Sequence, residues 1–286
     1  MRPTKNVRTL LSRTAVLILT IALGALMFPV AASSAADPVR KSVSEACKNS
    51  DRLLIAARGS GESSGLGPTM SAVYEAMHAK SSGNGSEKVN AIAVDYPARH
   101  VAFVPAVVVG SNIYFDGIAD GFVKTTKLLQ QVQTLPECES VSVTLGGYSQ
   151  GAMVMHRIIQ AYDAPQLKAF HVSSAVLVGD GDRIGRDPGV TNFGSAPASR
   201  SGIGQLAPFV SASNATPFND EKDISINSVC NLNDPVCAPD WSVPAWCAGG
   251  CANAYRSGKL IAAIATHLNY SRSPALGEAA RAVICC

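Results

Sequence analysis

Val141-Ser142-Val143-Thr144-Leu145-Gly146-Gly147-Tyr148-Ser149-Gln150-Gly151-Ala152 has the pattern of a strand, a sharp turn and a helix. Its first five residues are apolar and β-branched, as in a strand, and Ala152 to Tyr162 has the character of a helix. Between them, Gly147-x-Ser149-x-Gly151 sets a glycine two residues either side of a serine, the pattern of a nucleophile elbow. Glycine at those places lets strand and helix approach closely around a strained turn. The Ser149 hydroxyl is left exposed at the turn. The N–H of Gln150, at the start of the new helix, points toward the place where negative charge would develop on an attacked carbonyl. A glycine-rich turn carrying a surface serine is the plain alternative, and the strand-before, helix-after context argues against it.

Working toward the N-terminus, Val89-Asn90-Ala91-Ile92-Ala93-Val94 is a strand candidate, and Leu53-Leu54-Ile55-Ala56-Ala57 is a short continuous apolar run that reads as a buried parallel strand. A helix is expected from Pro68 through Met77 and a longer one from Ile113 to Leu135. Arg58-Gly59-Ser60-Gly61-Glu62 follows the earliest strand. The glycines at 59, 61, 65 and 67 suggest a phosphate-cradling loop, but the Gly-Lys-Ser/Thr ending is missing. A loop at the carboxyl end of a strand, where α/β sheets place ligand sites, is the better reading. Val101 to Val109 is apolar and reads as packing or loop rather than a substrate-facing wall.

The first residues read as a leader. Arg2, Lys5, Arg8 and Arg13 precede an apolar run from Ala15 to Ala32, and Ser34 and Ala36 fit a small-residue cleavage site before Asp37. Residues 1–36 are therefore expected to be a secretory signal peptide, with a single membrane anchor as the alternative, and residues 37–286 one α/β domain. The eight cysteines fit the oxidising compartment that such a leader implies. Disulfides are expected, but spacing alone leaves their pairing open. Zinc is the competing use of Cys230, Cys237, Cys247 and Cys251, and neither short pair has C-x-x-C spacing.

A net charge of +3 includes the basic leader, and no basic run is interleaved with aromatics, so nucleic-acid binding is not expected. Only 16% of residues are charged and 47% are hydrophobic, which leaves apolar surface for peripheral contact with a lipid or polymer.

Beyond the elbow helix, Val172 to Val178 reads as a strand ending in Gly179-Asp180-Gly181-Asp182. These aspartates lack the spacing of a calcium-binding EF-hand loop, and either could be the acid of a triad. Residues 185 to 220, rich in Gly, Ser, Pro and Asn, read as loops, and Ile224 to Val229 as the final strand. Asp234 then lies between Cys230 and Cys237. A carboxylate in a small loop that a disulfide could close would be held well enough to orient a histidine, although Asn-Asp-Pro is also ordinary turn chemistry. Of the five histidines, His78, His100, His156, His171 and His267, only His267 follows Asp234, as the chain order Ser, acid, His requires. It sits at or near a helix end; the other four read as structural.

Together these residues resemble the cutinase family across most of residues 37–286. Gly147-Tyr148-Ser149-Gln150-Gly151-Ala152 is similar to the family's serine motif, and Arg58-Gly59-Ser60 with Glu62 to its oxyanion loop. Cys230-x3-Asp234-x2-Cys237 and His267-Leu268-x-Tyr270 resemble its acid and histidine motifs. The overall look is similar to secreted members from mycobacteria and related actinobacteria. The resemblance implies a doubly wound, mostly parallel α/β-hydrolase sheet flanked by helices, with no large lid. It implies disulfides Cys47 to Cys138 and Cys230 to Cys237. It also implies a monomeric, secreted serine esterase, without metal or cofactor, in the medium or at the cell wall, acting on ester or lipid substrates. Ser149, His267 and Asp234 would form the triad. The N–H groups of Ser60 and Gln150, with the Ser60 hydroxyl, would bind the oxyanion. Acetylxylan esterase, lipase or phospholipase, and a catalytically silent surface-binding protein are the rival functions. The segment from Asp234 to His267 is longer than usual and carries Trp241, Trp246, Cys247 and Cys251, which suggests a disulfide-tied flap. Gly61 stands where the family often has threonine, and Cys285 and Cys286 have no counterpart.

Overall fold

The computed structural model describes residues 43–84, 87–100, 113–206, 214–218, 222–239 and 258–284. The expected leader, the apolar run from Val101 to Val109, the flap residues Trp241, Trp246, Cys247 and Cys251, and the terminal Cys285 and Cys286 lie outside them.

Along the chain run α1 (Val43–Cys47), β1 (Arg52–Ala57), α2 (Gly67–Asn84), β2 (Val89–Ala93), α3 (Ile113–Thr134), β3 (Ser142–Tyr148), α4 (Gln150–Ala161) and α5 (Ala164–Ala169). Then come β4 (Val172–Val178), β5 (Thr191–Phe193), α6 (Ile203–Leu206), β6 (Ser225–Val229), α7 (Lys259–Leu268) and α8 (Pro274–Ala282). Among the described residues the strands form one six-stranded sheet in the order β2-β1-β3-β4-β6-β5. Every pairing is parallel.

The strand sequences explain this architecture. Successive side chains leave a strand on opposite faces. Leu53, Ile55, Ala57, Val143, Leu145, Ala175 and Leu177 enter one core, beside α1, α3, α4 and α5. Leu54, Ala56, Val176 and Val178 enter a second, with Met70, Met77, Leu276 and Ala280 of α2 and α8. With helices over both faces β1 reads as a continuous apolar run from Leu53 to Ala57, while the hydroxyls that β3 and β4 carry, Ser142, Thr144, Ser173 and Ser174, hydrogen-bond one another and Arg52. The match is a doubly wound α/β-hydrolase sheet. Among the described residues no helix is long and apolar enough to cross a membrane.

The chain reverses its winding at the centre: β2 lies on one side of β1 and β3 on the other. Ligand sites of open α/β sheets form at such a switch point, outside the carboxyl ends of the strands. Here those ends deliver Arg58-Gly59-Ser60 after β1 and Ser149 after β3.

Among the described residues two disulfides hold the frame, Cys47–Cys138, with a sequence separation of 91, and Cys230–Cys237, with a separation of 7. By the loop-entropy model these contribute about 4–5 and about 2–3 kcal/mol. The span 185–220 corrects the expectation of loops alone, because it contributes β5 and α6. β5 adds to the sheet by pairing with β6, so tertiary hydrogen bonding makes a strand where composition signals a turn. α2 also runs past its expected end at Met77.

Candidate active site

Ser149 occupies the turn between β3 and α4 with φ 54° and ψ −117°, a region costly for any residue with a Cβ. Its amide donates to Val178 O at 2.8 Å, and its carbonyl accepts the first α4 bond, from Met153 N at 3.1 Å. The flanking glycines are obligatory. A Cβ on Gly147 would lie 2.6 Å from Ala152 Cα, and one on Gly151 would run into the Ala57 carbonyl. Strand and helix thus cross backbone to backbone and set the serine at the tip of the turn, where it is buried at 6% exposure rather than left exposed as the sequence suggested.

His267 comes from the last turn of α7. Its Nε2 lies 2.9 Å from Ser149 Oγ, and its Nδ1 2.8 Å from Asp234 Oδ2. A buried carboxylate can only accept, so Nδ1–H donates to Asp234 and Nε2 is left to accept from the serine. Tyr148, next to the nucleophile, stacks on the imidazole with ring centroids 5.3 Å apart and donates its hydroxyl to His267 O at 2.8 Å. Gly179, at the end of β4, backs the ring from below, where an added Cβ would lie 3.0 Å from His267 Cε1.

Asp234 is fully buried in the loop closed by Cys230–Cys237. Its Oδ1 accepts from the amides of Val236 at 2.7 Å and Cys237 at 3.1 Å. Its Oδ2 accepts from Tyr270 Oη at 2.7 Å as well as from His267. Burial alone would raise this carboxyl's pKa, but the His267 charge and the hydrogen bonds from His267, Tyr270 and Val236 outweigh it. Asp234 is therefore held below the usual carboxylate range.

The alternative acids are committed elsewhere. Asp180 Oδ2 lies 2.6 Å from Nδ1 of the buried His156, and Asp182 pairs with Arg157 at 2.8 Å. Burial works against the imidazolium of His156, yet the charge of Asp180 and its hydrogen bond, with Asp182 and Asp187, raise its pKa above the ordinary histidine value. Both pairs tie α4 to the loop after β4. His78 and His100 are exposed. His171 Nδ1 lies 3.1 Å from Cys138 O, beside the first disulfide.

The loop after β1 is pinned in detail. Gly59 N donates to Glu62 Oε2 at 2.6 Å, Arg58 Nε to Glu62 O at 3.0 Å and Arg58 Nη2 to Tyr96 O at 2.8 Å. Gly61 N bonds Ala98 O at 2.9 Å. The Ser60 hydroxyl, expected to face the oxyanion, instead donates to Arg99 O. This corrects the sequence reading: the side chain latches the loop onto segment 95–100 instead of facing the oxyanion. Burial raises the pKa of Glu62 despite the Gly59 and Thr69 amides and the Arg58 and His267 charges.

Sequence reasoning brought Ser149, Asp234 and His267 together and left Tyr148 and Tyr270 without roles. Both lie inside the quoted motifs, so the signal was present, but a tyrosine's partner cannot be read from spacing.

The family model for cutinase matches residues 46–248. His267 lies beyond that span, so its place rests on the geometry above. The chain is 31% identical over 160 residues to a cutinase of Botryotinia fuckeliana, covering 56% of this chain and 69% of that one. It is 30% identical over 131 residues to Carboxylesterase Culp1 of Mycobacterium tuberculosis, covering 46% of this chain and 52%, about half, of that relative. Among solved structures, an acetylxylan esterase superposes with a TM-score of 0.53 at 20% identity, over 82% of this chain and 97% of that one. A cutinase-like protein from Cryptococcus sp. gives 0.50 at 17% identity, over 81% and 89%. At these identities the structural likeness speaks for the fold, whereas the family match takes in both the serine elbow and the acid loop, and on that ground the chain belongs to the cutinase family.

Proposed function

We propose that the protein is a secreted serine esterase that hydrolyses short- to medium-chain carboxylic esters, cutin-like polyesters among them, through an acyl-enzyme on Ser149. Ester hydrolysis follows from family membership. The single observation that carries the mechanism is the unbroken hydrogen-bonded line from Ser149 Oγ through His267 to buried Asp234, at the sheet's switch point.

Ser149 Oγ attacks the ester carbonyl carbon as its proton passes to His267 Nε2. The carbonyl oxygen takes up the displaced electron pair and is met by the N–H groups of Ser60 and Gln150. One such donor is typically worth about 3–4 kcal/mol. Collapse of this intermediate breaks the bond to the alkoxy oxygen, which leaves as the alcohol with the proton from Nε2. Water then adds to the acyl-enzyme, giving its proton to Nε2, and the acid departs as Ser149 recovers that proton. Asp234 holds the imidazole tautomer and stabilises each imidazolium.

Substrate class is argued from the surface around the histidine. Ile261, Ile264 and Leu268 are exposed on α7 at helical spacing, with Leu268 adjacent to His267. An apolar stripe beside the reacting serine suits acyl chains and contact with a lipid or polymer surface. The two disulfides and the reading of residues 1–36 as a signal peptide favour a secreted enzyme. The test is hydrolysis of p-nitrophenyl esters from acetate to palmitate by the mature protein and its Ser149→Ala variant. Ser149-dependent turnover peaking at short to medium chains supports the proposal. A peak at acetate alone would favour an acetyl esterase, a peak at palmitate a lipase, and no turnover by folded protein a binding role.

A further inference from the structure

Tyr270 occupies the turn directly after α7, three residues past His267, with its ring buried and its hydroxyl at a junction. The hydroxyl donates to Asp234 Oδ2 at 2.7 Å, accepts from Asn231 N at 2.9 Å and lies 3.4 Å from Cys237 Sγ. The ring meets His267 edge-on at 6.1 Å and Tyr148 at 6.1 Å. Burial first, then the charge of Asp234 and the hydrogen bond to it, drive the phenol's pKa far above its ordinary value, so it is a permanent donor.

From this arrangement we infer that Tyr270 is a positioning residue that sets the basicity of His267 through Asp234, an inference that rests on the esterase reading above. Oδ2 receives two donors, the Tyr270 hydroxyl and His267 Nδ1–H, while both backbone donors go to Oδ1. A carboxylate oxygen shared between two donors gives less of its charge to each. The phenol therefore restrains the pull of Asp234 on the imidazolium. Because its other partner is the Asn231 amide, it also sets the height of the disulfide loop against α7. The other ionisable groups facing this cluster are Glu62 on the loop after β1, Tyr148 at the end of β3 and Arg183 after β4. They are unchanged in the variants that follow.

Two replacements of opposite sign provide the test, read from the pH dependence of kcat/KM on p-nitrophenyl butyrate, whose acid limb reports the free enzyme's base. Tyr270→Phe removes the donor, returns the charge of Oδ2 to His267 and moves the acid limb to higher pH by about half a unit. The same change lowers kcat about tenfold with KM unchanged, as the loop loses a charged hydrogen bond. Replacement of Tyr270 by 3-fluorotyrosine keeps the shape and strengthens the donor, moving the limb to lower pH. Should Tyr270→Phe fail to fold, the fluorinated protein decides alone. An acid limb unmoved by fluorination, or moved to higher pH by it, overturns the inference. Labelling of wild-type Ser149 by an organophosphonate separates the two levels: normal labelling with an unmoved limb overturns only the role of Tyr270, whereas an unlabelled Ser149 overturns the esterase reading itself.

Discussion

Asp234→Asn changes one atom at the most saturated group in the site. All four hydrogen bonds to the carboxylate run inward, two to Oδ1 from the Val236 and Cys237 amides and two to Oδ2 from Tyr270 and His267. An asparagine must place its NH2 on one side. Toward Val236 and Cys237 it would face two fixed backbone donors, so the amide oxygen stays there and the NH2 turns to His267 and Tyr270. Nδ1 of His267 must then accept, the ring proton moves to Nε2, and Nε2–H points at Ser149 with no lone pair to take its proton. The base is lost while the fold remains. A fall in kcat of about 10⁴-fold is expected, as in the analogous serine-protease change, with a stability cost on the order of 1.5–3 kcal/mol for the charged hydrogen bonds given up. Steady-state hydrolysis of p-nitrophenyl butyrate and urea unfolding measure the two. A folded variant that loses less than tenfold in kcat, or an Asp180→Asn variant that shows the large loss instead, would refute the reasoning.

Replacing both Cys230 and Cys237 by serine should cost about 2–3 kcal/mol by thermal or urea unfolding, and kcat should fall because Asp234 takes its Oδ1 donors from that loop; unaltered kcat would detach the disulfide from the site. Gly147→Ala should destabilise by at least about 1–3 kcal/mol, because the new Cβ meets the backbone of Ala152 rather than a yielding side chain; a melting temperature equal to the wild type would contradict the close crossing. The raised pKa of His156 means its pair with Asp180 stabilises fully below the ordinary histidine value of 6.5 and is lost as pH rises through the folded value. The melting-temperature gap between wild type and His156→Gln should accordingly be widest in acid and narrow toward alkaline pH. The depressed pKa of Asp234 acts in the other sense: its contribution is present above the unfolded carboxylate value and fades as pH falls through the folded one. The gap between wild type and Asp234→Asn should therefore close in strong acid.

How much of this was legible in the sequence depended on whether the information was local. β1 announces itself because a strand covered on both faces has no reason to alternate polar residues, and β3 and β4 by their β-branched and apolar content. The elbow is legible because only glycine fits where Gly147 and Gly151 meet backbone. Asp234 was visible as a carboxylate between two cysteines, yet its rival Asp180 could be dismissed only once His156 was seen beside it, 24 residues back in the chain. β5 was hidden because three residues of strand carry no period and exist by pairing with β6. The Ser60 hydroxyl was misassigned because its acceptor, Arg99 O, lies 39 residues away on another segment. Tyr270 escaped for the same reason, since what it does is fixed by a loop 36 residues earlier.

Whether Ser149 is the nucleophile activated by His267 is decided by mapping the site of covalent modification by an alkyl p-nitrophenyl phosphonate. One equivalent should bind, with p-nitrophenol released in equal amount and the mass increment on the peptide carrying Ser149. Labelling should slow by orders of magnitude in His267→Gln. A folded protein that takes no label, or takes it on another residue, would rule Ser149 out as the nucleophile.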